Sequence, residues 1–149
     1  MPIEAFRVQP PPSRVAIVRA MAATLHLRLG ALGQVSLHVR DRARAARFYG
    51  ETLGLRHLYT FGDLSFFDLA GTRLYLHRKD EADWQPGSIL YFRVENIQAA
   101  WDELGLRGVM RLEDPHVIFV HQETSVEEWM AFFADGEGNT LALMEQRPT

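Results

Sequence analysis

The chain has 149 residues, 47% of them hydrophobic and 23% charged, with a formal charge of −3 and a pI near 6.1. That suits one domain of common size with a substantial core, and it excludes wholesale disorder and a polyanionic partner such as nucleic acid. There is no cysteine, so disulfides, thiolate catalysis and thiolate metal sites are excluded. No apolar run approaches the roughly 18 residues of a membrane span. All but one of the 16 basic residues are Arg, scattered among acids rather than gathered into a patch.

In chain order, residues 1–32 stand apart. Pro10-Pro11-Pro12 breaks any regular element, and Val15 to Leu27 is apolar but interrupted by Arg19 and His26. Ala20-Met21-Ala22-Ala23 faintly resembles a signal-peptide cleavage site. The interruptions favour instead an N-terminal extension strapped across the domain, with Met21 as an alternative natural start. A cytoplasmic location is the expectation, although the cysteine count itself leaves the compartment open.

From Gly33 the pattern is regular. Gln34 to Arg40 alternates apolar with polar, as a half-buried strand does. Asp41 can cap the helix that follows, and Gly54 is placed to end it. Leu55 to Thr60, Leu64 to Leu69 and Arg73 to Arg78 read as three further strands, with Gly62 and Gly71 at the turns. Asp80 to Ser88 is polar and carries Pro86-Gly87, which makes a linker. Ser88 to Val94 is then a strand and Asn96 to Leu106 a helix. Val109 to Leu112 is a strand whose continuation is Val117 to His121. Glu127 to Ala134 and Thr140 to Glu145 form a closing hairpin around residues 135–139. Val39 corresponds to Val94 and Asp41 to Asn96, so the second half repeats the first at an offset of about 55 residues. The order is βαβββ followed by βαβββ, an α+β protein. Module one covers 33–79, the linker 80–87 and module two 88–146.

Four strings carry a resemblance: Val39-x-Asp41, Ala46-x-Phe48-Tyr49-x-x-x-Leu53-Gly54-Leu55, Val94-x-Asn96-Ile97, and Ala131-Phe132-Phe133-x-Asp135-x-x-Gly138-Asn139. In this order and spacing, residues 33–146 resemble the glyoxalase / bleomycin resistance / extradiol dioxygenase superfamily, the vicinal oxygen chelate (VOC) proteins. The resemblance implies sheets that curl into an open, barrel-like cleft with helices packed outside, and a homodimer.

The alternation assigns the faces. Helices pack on the apolar side, so Val35, Leu37, Val39, Leu74 and Leu76 turn toward them in module one. In module two the same holds for Leu90, Phe92, Val94, Leu141 and Leu143. Gln34, Ser36, His38, Arg40, Arg73, Tyr75 and His77 then face the cleft, joined by Ile89, Tyr91, Arg93, Thr140, Ala142 and Met144. By resemblance, the four metal-ligand positions hold Gln34, Tyr75, Ile89 and Ala142. The last two have no donor atom, and one amide oxygen cannot hold a hard divalent ion. No cofactor is therefore expected.

Three functional classes follow. The first is a metal-free binder of a small molecule, as in the bleomycin-resistance branch, with Gln34, His38, Tyr75, His77, Tyr91, Arg93 and Trp129 as binding candidates. Tyr91 beside Arg93 suits a carboxylate or an aromatic ring, since Arg offers a planar fork of donors. The second is a divalent-metal lyase, isomerase or dioxygenase with a displaced site around His38 and His77, with His116, His121 and Glu128 nearby. The third is a metal-free enzyme in which His38 or Glu128 moves a proton. Phe66, Phe67, Phe132 and Phe133 can line a pocket, but alternation sends half of them to the core. Arg40, Arg44 and Arg47 read as one solvated stripe, and Asp135 to Asn139 as turn chemistry alone.

Overall fold

The computed structural model of the chain describes residues 11–24 and 27–149. His26 and the first ten residues of the extension lie outside them. The chain divides after Ala31 into two units. In the first, Ser13 opens helix α1 (Arg14–Thr24), its hydroxyl oxygen accepting from the Ala16 amide at 3.2 Å. Sequence reading stops at the proline run and has no helix there. The serine that follows the prolines is the start signal it passes over. No helix among the described residues is long and apolar enough to cross a membrane.

The second unit begins with β1 (Gln34–Val39) and α2 (Arg42–Arg47), which runs into a π-helical turn over Phe48–Thr52. Then come β2 (Arg56–Phe61), β3 (Leu64–Leu69) and β4 (Thr72–Arg78). Module two has β5 (Leu90–Arg93), α3 (Ile97–Leu106), β6 (Arg111–Val120), β7 (Val126–Ala134) and β8 (Thr140–Pro148). The sheets run β1-β4-β3-β2 and β5-β8-β7-β6. In each, the module's first strand lies parallel to its last and the other pairings are antiparallel. This is the expected pair of βαβββ modules. Strand β6 is continuous through Pro115, with three register shifts, which an edge strand tolerates.

Both helix starts are local. The Asp41 carboxylate accepts from Arg44 N and the Asn96 amide oxygen from Ala99 N, each at 2.9 Å. These caps satisfy amides that have no partner within their own helix. Gly54, at φ 74°, turns the chain out of the first helix. The apolar faces then meet in one core. Leu37, Val39, Leu74 and Leu76 from one sheet, and Ala131, Phe133, Leu141 and Leu143 from the other, cluster with Ala45, Tyr49, Ile97 and Trp101.

What ties the modules together is the β7–β8 hairpin. Asp135, Glu137 and Asn139 are each about 2% exposed or less. Both Asp135 carboxylate oxygens are saturated, Oδ1 by the amides of Glu137 and Asn139 and Oδ2 by Tyr49 Oη at 2.8 Å and Asn139 Nδ2. Burial, and next the Asp135 charge, push the Tyr49 hydroxyl far above its ordinary range, so it stays a donor. Glu137 reaches across to module one and accepts from Arg40 N at 2.6 Å, Asp41 N at 2.9 Å and Arg44 Nε at 2.6 Å. The Arg40 guanidinium lies 3.9 Å over the Trp84 ring and pairs with Glu81. Gly138, at φ 99°, adopts a backbone conformation that L side chains rarely take, and a Cβ there would also sit 2.8 Å from the Trp84 ring. The solvated stripe expected for Arg40 and Arg44 is thus corrected: both serve the buried Glu137. The hairpin likewise does more than turn the chain.

Removing Glu137 would leave two amides and a guanidinium without their acceptor. Glu137→Ala should cost about 2–4 kcal/mol, in line with other broken buried charge networks. Glu81→Ala, which removes a surface pair, should cost under about 1 kcal/mol. Urea unfolding followed by circular dichroism measures both, and equal midpoints for the two variants would contradict this assignment.

Candidate functional site

With the apolar faces sharing a core, the polar and aromatic faces of both sheets are left open. Among the described residues, no hydrogen bond, ion pair or ring contact joins one open face to the other.

On the first sheet the pairings Phe66↔Tyr75 and Tyr59↔Phe66 set three rings side by side. Their centroids lie 4.4 Å apart for Tyr59–Phe66 and 5.5 Å for Phe66–Tyr75, both stacked. His77 continues the row at 6.2 Å from Tyr75, and His38 stands edge-on to His77 at 6.2 Å. Arg73 stands over Phe66 at 5.4 Å. It is fixed by Nε to Gln34 Oε1 at 2.7 Å and by Nη1 to Tyr59 Oη at 3.1 Å. Five aromatic side chains and one cation therefore form a continuous shelf.

Tyr59 was not foreseeable from alternation. A register shift between His57 and Tyr59 moves Tyr59 onto the open face, although the two share parity. His57 meets the core residue Phe67 instead, at 5.2 Å. Arg40, assigned inward with the other even residues of β1, turns to the hairpin and linker as described.

The second sheet carries a looser surface. Tyr91 meets Phe132 edge-on at 6.1 Å, and Met130 pairs with Met144 in register. Glu128 lies on this face, where its Oε1 accepts from His121 Nε2 at 2.9 Å and Gln146 Nε2 at 2.7 Å. These bonds, helped by the Arg93 charge, hold its carboxyl below the ordinary range. His116 bonds the Asp114 carbonyl through Nδ1. Trp129 is corrected. It shares parity with Ala131 and Phe133, packs against the core, and sits under Arg147 at 4.4 Å. Of the seven binding candidates, Gln34, His38, Tyr75 and His77 share the first open face, Tyr91 and Arg93 belong to the second, and Trp129 to neither.

The metal positions implied by the resemblance do not fit an ion. Ile89 and Ala142 offer no donor, and Gln34 Oε1 already accepts from the Arg73 cation. The displaced alternative fares no better. His38 Nδ1 accepts from the backbone amide of Gln85 at 3.2 Å. An amide can only donate, so in the neutral ring the proton sits on Nε2 and neither nitrogen keeps a lone pair for an ion. Among the described residues, no three His, Asp or Glu side chains group so as to hold a metal. His38 instead presents an Nε2–H donor to the shelf.

Burial, then Lys79 and His38, lower the His77 pKa from 6.5. The folded chain accepts this proton at lower pH than the unfolded chain does. Its share of stability is complete above pH 6.5 and is lost as pH falls below that value. His77→Gln should accordingly lose less stability than the parent between about pH 7 and pH 5. NMR titration of the His77 ring gives the direct check, and a midpoint above 6.5 would reverse the sign.

No protein-family model matches this sequence, and no curated protein does. Solved structures do. TnmS3, an antibiotic binding protein from Streptomyces sp. CB03234, is 24% identical, with a TM-score of 0.66, over 83% of this chain and 100% of its own. A member of the glyoxalase/bleomycin resistance protein/dioxygenase superfamily from Sphaerobacter thermophilus is 22% identical, with a TM-score of 0.63, covering 80% and 99%. An integron cassette protein from the mobile metagenome of V. cholerae is 19% identical, with a TM-score of 0.62, covering 81% and 98%. At these identities the shared property is the fold, which is that of the glyoxalase/bleomycin resistance/dioxygenase superfamily.

Proposed function

We propose that this protein binds a small, flat aromatic molecule on the open face of the first sheet, without a metal. The observation that carries the reading is the shelf of Tyr59, Phe66 and Tyr75 with Arg73 fixed above it. Offset rings at such separations present a surface on which a further ring can stack, and a guanidinium adds attraction for an anionic substituent. The His38 Nε2–H supplies a directional donor beside it. Few polar groups around an aromatic floor is the usual make-up of a ligand site. That TnmS3 is an antibiotic binding protein supports binding over chemistry, by analogy of fold.

The two other classes find less support. The His38 lone pair is occupied, so the ring is poorly placed to act as a base. Glu128 is held charged by two donors, which makes it a weak base. In the proposed reading a second copy closes over the shelf and makes the protein a homodimer. Sedimentation velocity should show a dimer, and a monomer at ligand-binding concentrations would remove this part of the reading.

The site itself is tested with 2-naphthoate, a planar anion, followed by its fluorescence anisotropy. Saturable binding is expected. Arg73→Ala should weaken it about tenfold, and Tyr59→Ala about three- to tenfold, from loss of charge attraction and of one ring contact. Arg93→Ala on the other sheet should leave it unchanged. Binding indifferent to Arg73 and Tyr59 would overturn the site.

A further inference from the structure

A cavity of about 210 Å³ lies where the two modules meet, away from the shelf. Leu53 and Leu55 line it from module one; Phe92, Ala100, Leu104 and Phe133 line it from module two. At its margin Arg107 donates through Nη1 to the Thr52 carbonyl and through Nη2 to Glu103. These polar groups stand at the solvent-exposed rim, and the walls behind them are hydrocarbon.

At the repeat offset, Ala45 corresponds to Ala100 and Tyr49 to Leu104. In module one the Tyr49 ring is fully buried, and its hydroxyl reaches Asp135. In module two the shorter Leu104 stands at the corresponding position and lines the cavity. Protein interiors ordinarily pack without voids of this size. An apolar cavity of about 150 Å³ stays dry and is large enough to take up benzene.

We propose that this junction cavity is a binding site for a compact, uncharged hydrocarbon or aromatic group, distinct from the shelf. Volume sets the size, and the hydrocarbon inner walls select against ligands that bury a hydroxyl or a charge against them. The site is independent of the shelf reading, since none of the shelf residues lines it.

Toluene and phenol are the probes, followed by carbon-13 methyl NMR of the full chain. Toluene should shift the Leu53, Leu55 and Leu104 methyls saturably. Phenol, of nearly the same shape, should bind roughly tenfold or more weakly, because the inner walls carry no acceptor for its hydroxyl. Ala100→Leu should fill the space, raise the melting temperature in the absence of toluene, and abolish the shifts. Leu104→Phe serves the same purpose should Ala100→Leu not fold. Methyl shifts confined to Leu64, Met130 and Met144 on the open faces would overturn the proposal, as would equal binding of phenol and toluene. Persistence of the shifts in a folded, filled variant would overturn it too.

Discussion

The buried carboxylates of the β7–β8 hairpin are the constraint on which the rest of this structure rests. A βαβββ module holds its own sheet and helix together through local pairing, but nothing local says how two modules should meet. Asp135 and Glu137 supply that information. A buried carboxylate is stabilised when its oxygens are occupied: Asp135 takes three donors from its own hairpin and a fourth, Tyr49 Oη, from module one, while Glu137 takes the amides of Arg40 and Asp41 and the Arg44 guanidinium, all from module one. Any other arrangement would strand charge in the core. The same hairpin places Asn139 Nδ2 on the His38 carbonyl at 2.9 Å, so the end of β1 is fixed as well. The shelf inherits its geometry from this anchor, since His38 is the last of its ring row.

The chemistry of the open face follows from which residues alternate onto it. A divalent ion needs several convergent lone pairs, and this face offers the reverse. Gln34 turns its one good oxygen to Arg73, His38 has its lone pair engaged by a backbone amide, and Arg73 contributes a permanent positive charge. In the proposed reading such a face favours flat or anionic groups over a metal ion. The same scaffold, with donors at positions 34, 75, 89 and 142, would do something else. Function here is set by side chains that the fold merely presents.

Much of this was legible in the sequence, and the parts that were not share a cause. The caps at Asp41 and Asn96, the strand order and the core positions Leu37, Val39, Leu74 and Leu76 depend on periodicity and neighbours, which a sequence displays directly. Tyr59 depends on a bulge in β2, where parity fails without any local marker. The π-helical turn that swings Tyr49 toward Asp135 is likewise unannounced. Arg40 and Arg44 resemble any surface arginines until Glu137, more than 90 residues away, comes to meet them. Trp129 is a different case, because parity with Ala131 and Phe133 already sends it to the core.

The two apolar spaces of the molecule differ in one respect that separates their ligands. The shelf is bordered by donors with capacity to spare, the Arg73 cation and the His38 Nε2–H. A ligand there gains from a negative or hydrogen-bond-accepting edge. At the module junction the polar groups, Thr52, Glu103 and Arg107, stand at the rim, so a polar edge buried against the hydrocarbon inner walls would lose its water and gain nothing. The two copies also differ at one helical position that faces the core. A tyrosine in one copy fills its space and spends its hydroxyl on the hairpin, while a leucine in the other does neither.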